Sequence, residues 1–341
     1  MGSAALVVIV KGSEVLIPLA ISVMLWYLLN ALAGELKRFV PGGRRLPDLA
    51  WIALALAIIL LVSAVTMNLL LASLKGLDAA VPAYQKNIQT LIRHFAGYFG
   101  AEESVGLDGL LARIDLKWAV TTVAGLAATI AGEVGLILVY VLFLVLEQKS
   151  FDRKVKLLVK DPEKLKRMTL LLGRMQESIR AYLLIKTLMC VLVGVLTFAL
   201  LAAMGVDYAF FLAFVGFITY YIPTVGSVAG VFLPTLLAAL QFSDSAHWLF
   251  AGGVLTAVHM VVGNVLEPRL MGGKLNISPF VVMLSLVVWG KIWGVAGMVL
   301  CVPLTIIAMI ALAHFPATRP LALLLSEDGE LEVTDPGQAG E

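Results

Sequence analysis

The chain has 341 residues, 60% of them hydrophobic and 14% charged, and its mean hydropathy is +0.97. Soluble domains hold roughly 45–50% apolar and 25% charged residues, so this composition excludes an ordinary soluble domain and implies a polytopic membrane protein. A net charge of +2 without a basic domain gives no nucleic-acid footprint; Cys190 and Cys301, both inside apolar runs, read as small hydrophobes, not as a disulfide or metal pair.

The first span is predicted over about residues 15–33, behind a short apolar lead-in at 4–10. Lys11 before the run and Ala31-Leu32-Ala33 after it imitate a signal peptide. Pro18 lies inside the run, however, and Lys37, Arg38, Arg44 and Arg45 follow as a stop-transfer flank, so an uncleaved span is expected. A second span at 49–71 completes an N-terminal membrane region over 1–73. Residues 74–117 are polar with nearly balanced charge. Within them Ile88, Leu91, Ile92, Phe95 and Phe99 repeat at three and four, as on a helix with one apolar face. That helix either lies on the membrane or the spans, or serves regulation or a partner.

A third span falls within 118–146. Residues 147–181 form a basic region that runs from Lys149 to Arg180. By the positive-inside rule this region and the 37–45 loop are cytoplasmic, which places 74–117 on the outer side. A helix starts at Asp161-Pro162-Glu163, with Asp161 as N-cap, Pro162 at the first helical position and acid in the first turn. Leu165, Met168, Leu172, Met175, Ile179 and Tyr182 then alternate by three and four. The helix either lies back on its own protein or joins subunits and runs straight into the next span.

Residues 182–313 are predicted to form the transport region, in two similar parts. Each has a plain span, at 183–203 and 247–266, followed by an apolar segment interrupted at mid-length, at 208–240 and 279–313. The first interruption is Ile222-Pro223-Thr224-Val225-Gly226 and the second is Gly290-Lys291-Ile292-Trp293-Gly294. Proline removes an N–H and clashes with the carbonyl one turn back, while glycine permits the backbone excursion. Freed backbone groups have no partner in hydrocarbon, so such breaks usually line a cavity, and a matched pair points to a transporter's binding site. Each interrupted segment either crosses once or folds back as a re-entrant hairpin. Two hairpins are favoured, because they keep Arg269 and Lys274 on the basic side. Glu267-Pro268-Arg269-Leu270-Met271-Gly272 between the two parts reads as a charged hinge. The tail from 314 to 341 is acidic and expected to be disordered. The predicted fold is therefore all-α and polytopic, with about seven or eight hydrophobic segments, two of them broken or re-entrant.

Lys186, His259, Glu267 and Lys291 lie at or near membrane depth, where a charge at a span centre costs about 2.5–3.5 kcal/mol, and each is a functional candidate on that ground. Lys186 sits close enough to a predicted span end to snorkel out. Thr256, His259, Gly263 and Glu267 step by three, four and four along one helical face. That stripe suits either a solute path or ordinary interhelical bonding. Thr224, Ser227 and Asn264, with the freed backbone, could bind a small polar solute, and Glu267 or His259 could take up a coupling proton. Trp289 and Trp293 flank the second break and mark either an interface or a cavity wall.

Several of these residues also carry a resemblance. Tyr182-Leu183 with Lys186, Tyr221-Ile222-Pro223 with Gly226-Ser227, Gly263-Asn264, and the run from Glu267 to Gly272 resemble the autoinducer-2 exporter family of bacterial transporters. The match continues in Ser278-Pro279, Trp289-Gly290, Trp293-Gly294, Gly297-Met298 and Val302-Pro303-Leu304. The resemblance implies a permease of the bacterial inner membrane, homo-oligomeric with a pentamer as the family's example. It also implies export of a small signalling molecule, or in some members cation/proton antiport. Thr224 stands where the family often has an aromatic residue, and Lys291 puts a charge into a usually apolar Trp-Gly region.

The expected function is secondary export of a small hydrophilic solute such as a quorum-sensing signal of the autoinducer-2 kind, by an elevator-type movement of the C-terminal unit. The expected partners are the lipid bilayer, the solute and H⁺ or Na⁺, with no cofactor. A Na⁺ or Li⁺/H⁺ antiporter is the alternative. A non-transporting scaffold would not need two interrupted spans. An intramembrane enzyme lacks a His-Glu-x-x-His, a Gly-x-Ser-x-Gly or a metal cluster to support it, and no Walker motif offers ATP as the energy source.

Overall fold

A chain that crosses hydrocarbon must satisfy its backbone polar groups within itself, and here it does so by helices. The structure, a computed structural model, describes residues 10–40, 47–74, 87, 134–148, 150, 154, 161–242, 244–271, 276–314, 317–327 and 329. Among the described residues there is no strand. The helices are α1 (Ser13–Phe39), α2 (Asp48–Leu74), α3 (Val134–Gln148), α4 (Pro162–Ala203), α5 (Ala209–Thr219), α6 (Val225–Gln241) and α7 (Ser245–Val261). A π-turn, Val262–Leu266, joins α7 to α8 (Glu267–Met271); α9 (Pro279–His314) and α10 (Arg319–Leu325) follow. Among the described residues five stretches are long and apolar enough to cross a membrane: α1, α2, α4, α9 and the continuous run from Ser245 to Met271. The chain is a multi-pass α-helical membrane protein. The predicted helix at 88–99, the start of span three, most of 147–160, Gly272, Lys274 and the tail beyond 329 fall outside the described residues.

The chain divides into two compact units, one of residues 1–57, 133–187 and 268–341, the other of 58–132 and 188–267. In the first unit, the Ser22 hydroxyl donates to the Pro18 and Ile137 carbonyls at 2.6 and 3.2 Å, tying α1 to α3. Gly34 lies under the Arg180 guanidinium, which stands 3.9 Å from Glu35. The end of α1 and the basic part of α4 thus meet. Helix α4 begins as predicted, with the Asp161 carboxylate accepting from the Glu163 N–H at 3.0 Å. It then continues for 42 residues, about 63 Å at 1.5 Å per residue, so the basic helix does run straight into the span.

The 36 residues of α9 do not form one straight rod. Gly294 has φ 60° and ψ −139°, and there the helix folds back on itself. The Ser285 side chain stands beside the Cys301 thiol, and Gly290 faces the Met298 side chain, contacts possible only if 279–293 and 295–314 run antiparallel. The chain accordingly returns to its starting point, where the Ser278 N–H donates to the Leu325 carbonyl at 3.2 Å. Helix α10 occupies part of what reads in sequence as tail: Pro320 opens it and Ala322 is fully buried, giving this short helix an anchor.

The second unit holds the other hairpin. Helices α5 and α6 fold back across residues 220–224, and their far ends are stapled by Gln241. Its side-chain amide donates to the Gly205 carbonyl at 2.8 Å, and its side-chain carbonyl accepts from the Asp207 N–H at 2.7 Å. Of the two readings left open by the sequence, the hairpin is the one found at both breaks. Helix α7 runs antiparallel to α6: Gly230 faces His259, Thr235 faces Gly252, and Phe242 stacks on His247 at 5.0 Å. Leu201, Val206, Leu212, Ala238, Ala251 and Leu255 fill the core between α4, α5, α6 and α7.

Asp244 caps α7, its carboxylate accepting from the Ala246 N–H at 3.1 Å and facing His247 Nδ1 at 3.1 Å. The Ala246 N–H first, then the His247 ring, hold the Asp244 carboxyl below its ordinary pKa. A lowered folded pKa means the cap is present above the free carboxyl's value and is lost as pH falls through the lowered one. Hydrogen exchange at 245–248 is expected to speed up over that acidic window in the wild type, and to lose this pH dependence in Asp244→Ala.

Candidate functional site

The first hairpin turns on a strained tip. The Ile222 N–H donates to the Thr219 carbonyl at 2.8 Å, and the Val225 N–H to the Pro223 carbonyl at 2.6 Å. The second bond closes a γ-turn about Thr224, whose φ of 62° and ψ of −52° are the rare, strained form of that turn. Pro223 supplies the fixed φ before it, and Gly226 lets α6 begin hard against the end of α5. A β-carbon at Gly226 would stand 2.1 Å from the Thr219 carbonyl oxygen and 2.5 Å from the Tyr220 Cα. Only hydrogen fits there.

The tip delivers Tyr220 to α7. Its ring, almost fully buried, packs edge-on against the His259 imidazole with centroids 5.5 Å apart. Its buried hydroxyl would lie 3.2 Å from a β-carbon at Gly263, with the Glu267 carboxylate and Cys190 of α4 near. Glycine at 263 makes room for that hydroxyl. His259 is 5% exposed and lies flat over Gly230, where a β-carbon would come within 2.6 Å of the ring. Among the described residues neither imidazole nitrogen has a hydrogen-bond partner.

The helix carrying these groups is locally widened. Pro268 has no N–H to give, and its ring would press on the carbonyl one turn back. The turn before it, 262–266, opens to π geometry, with the Glu267 N–H reaching the Val262 carbonyl. π-bulges recur at functional sites because they re-aim side chains and loosen the backbone ladder. The predicted charged hinge is therefore a helix that continues through Glu267-Pro268-Arg269 to Met271 behind a bulge.

The second tip, in the other unit, follows the same plan with different residues. Gly294 takes the positive φ, and Gly297 closes against the backbone, where a β-carbon would stand 2.0 Å from the Trp289 carbonyl oxygen. Trp289 and Trp293 pack at 5.3 Å, and Lys291 is exposed at the turn. Lys186 corrects its sequence reading. It is 4% exposed and near the Cys301 thiol of α9, so its ammonium does not snorkel out. The reason is the length of α4: Lys186 lies 24 residues into a 42-residue helix, well away from either end.

Of the residues singled out in sequence, Pro223, Gly226 and Ser227 gather at the first tip, and His259, Gly263 and Glu267 on the facing helix. Thr224, Asn264, Pro268 and Arg269 are exposed, while Gly290, Lys291, Trp293 and Gly294 belong to the second tip. Thr256 is exposed and bonds the Gly252 carbonyl, so the buried stripe of α7 is Ala251, Leu255, His259 instead. Sequence reasoning missed Tyr220 and Gly230. A hydroxyl-bearing aromatic three residues before Pro223 was the available signal for the first. Among the described residues no group of three or more His, Cys, Asp or Glu could hold a metal ion.

Comparison with known proteins bears on what such a site serves. The family described as AI-2E family transporter matches residues 3–317. The AI-2 transport protein TqsA of Escherichia coli (strain K12) is 30% identical, over 94% of this chain and 93% of its own. YhhT of the same organism, assigned to transport by name alone, is 28% identical over 94% and 92% of the two chains. YrrI of Bacillus subtilis (strain 168), likewise assigned by name, is 28% identical over 73% and 72%.

Proposed function

The chain belongs to the AI-2E transporter family and is a membrane transporter, and on that premise we propose that it exports a small hydrophilic solute of the autoinducer-2 kind. The location is the bacterial inner membrane, the working form is a homo-oligomer, a pentamer by family resemblance, and the movement is of the elevator type, carried by the 182–313 region. One observation carries the reading above the rest. Both interrupted segments fold back as hairpins, and their tips take backbone groups out of helical ladders where a polar solute can use them. Pro223, Thr224, Gly226, Ser227, His259, Gly263 and Asn264 line the path at one tip, and Gly290, Lys291, Trp293 and Gly294 at the other. Glu267, Pro268, Arg269, Gly272 and Lys186 set the coupling and the hinge.

A second reading, Na⁺ or Li⁺/H⁺ antiport, is favoured by the contact of Glu267 with Tyr220 beside His259. The two part in sealed proteoliposomes. Export predicts uptake of labelled autoinducer-2 into inside-out vesicles and no pH-gradient change on adding Na⁺, Li⁺ or K⁺. Antiport predicts cation-triggered dissipation that Glu267→Gln abolishes. Neither signal from folded, oligomeric protein would sink both readings.

A further inference from the structure

His259 is the least explained group in the second unit. Both its nitrogens are buried without a hydrogen-bond partner among the described residues, and the residue is 5% exposed. A phenyl ring would fill the same place without leaving polar atoms unpaired, so packing alone does not account for an imidazole. What an imidazole adds is a charge that switches on near neutral pH.

The enclosure admits one of its two charge states. Below the ring lies Gly230, where a β-carbon would come within 2.6 Å, and Tyr220 packs edge-on against it with centroids 5.5 Å apart. The titratable groups around it are Tyr220 from the hairpin turn, Cys190 of α4 near the Tyr220 hydroxyl, and Glu267 on the same helix as His259, while α6 presents Gly230. Glu267 lies eight residues on, about 12 Å along the axis at 1.5 Å per residue, on the hydroxyl side of Tyr220. Among the described residues an imidazolium here would have no counter-ion against it and no acceptor for its two N–H groups. A dry interior does not hold such a charge.

The way out runs through the helix contact. Gly230 has no side chain to swing aside, and the Tyr220 ring is itself almost fully buried. Releasing the imidazole therefore requires α6 and the hairpin turn to move off α7. At the neighbouring level Thr235 meets Gly252, its hydroxyl also without a partner among the described residues, so no side-chain hydrogen bond ties α6 to α7 at either level. The turn that would move carries the strained Thr224 backbone, with φ 62° and ψ −52°.

We propose that His259 is an acid-released latch: the neutral ring holds the first hairpin against α7, and its protonation frees the hairpin tip. The closed contact holds the ring without the extra proton. The open one takes that proton from water onto an imidazole nitrogen and leaves the imidazolium solvated. Opening is therefore favoured about tenfold more for each pH unit below the range of a free imidazole, about 6.5. Above that range the latch stays shut.

The latch depends on the packing of the second unit and not on the solute carried. Hydrogen exchange of the full-length protein in liposomes, followed from about pH 8 to about pH 5 and corrected for intrinsic rates, tests it. Protection of 228–232 in α6 and 257–261 in α7 is expected to be constant above about pH 6.5 and to fall about tenfold per unit below it. His259→Phe, which keeps an aromatic ring and cannot be charged, is expected to hold its protection across the whole range. If that variant does not fold, the neutral His259→Gln gives the same reading. Wild-type protection that does not change with pH, or the same pH dependence in the uncharged variant, overturns the latch. A fall shared equally by 300–306 of α9 marks general loosening and overturns it as well. No solute is added, so each of these results leaves the export reading to its own vesicle assay.

Discussion

Gly226→Ala and Gly297→Ala are expected to abolish transport in vesicles and to lower the unfolding temperature more than any other single methyl added to the hairpins. The added carbon would stand 2.1 Å from the Thr219 oxygen in one and 2.0 Å from the Trp289 oxygen in the other. Both obstacles are backbone, so no rotamer change relieves them, and the cost sits at or above the top of the usual overpacking range of about 1–3 kcal/mol. At about 2 °C per kcal/mol for a large domain, the shift is about 6 °C or more. Gly294→Ala is the informative contrast. Nothing lies within 4 Å of its β-carbon, so only the positive φ is strained, at about 1–3 kcal/mol. Thr224→Gly is expected to go the other way, because it relieves the γ-turn at the first tip. If Gly226→Ala folds with wild-type stability and flux, the tight tip is not what transport requires.

The positions of both tips were legible in the sequence because their cause is local: Pro223 with Gly226, and Gly290 with Gly294, disfavour a continuous helix. What the chain does at each tip was less legible. A single crossing and a hairpin share the same breakers. They are told apart by long-range pairs, such as Gln241 with Gly205 and Ser285 with Cys301, that no local pattern announces. The end of α4 shows the converse error. Taking Leu183 as the start of a span put Lys186 near an interface, whereas the helix starting at Pro162 carries it past that level and buries it. The stripe on α7 was misplaced by one residue at Thr256, and the π-turn before Pro268 had no sequence period to reveal it. Tyr220 was invisible for a different reason. In a run this apolar an aromatic reads as packing, and its surroundings, His259 against the ring and Glu267 near the hydroxyl, come from far along the chain.

Gly230→Ala tests whether the placement of His259 is imposed by α6. A methyl group there would lie 2.6 Å from Cε1 and 2.9 Å from Nε2, and the ring is enclosed, so the imidazole must leave its place against Tyr220. The variant is expected to lose about 1–3 kcal/mol through overpacking and to lose most proton-linked activity, while remaining folded. Gly253→Ala on the neighbouring helix meets nothing within 4 Å and is expected to gain the helix-propensity difference, about 0.8–1.0 kcal/mol. The decisive comparison is the double variant. Removing the ring by His259→Ala creates space for the methyl, so Gly230→Ala should cost little in that background, giving a coupling energy within the 0.5–3 kcal/mol seen for residues in contact. Equal costs of Gly230→Ala in both backgrounds would mean that the methyl strains something other than the imidazole. The pairing of α6 with α7 at this level would then not be what holds His259 beneath Tyr220.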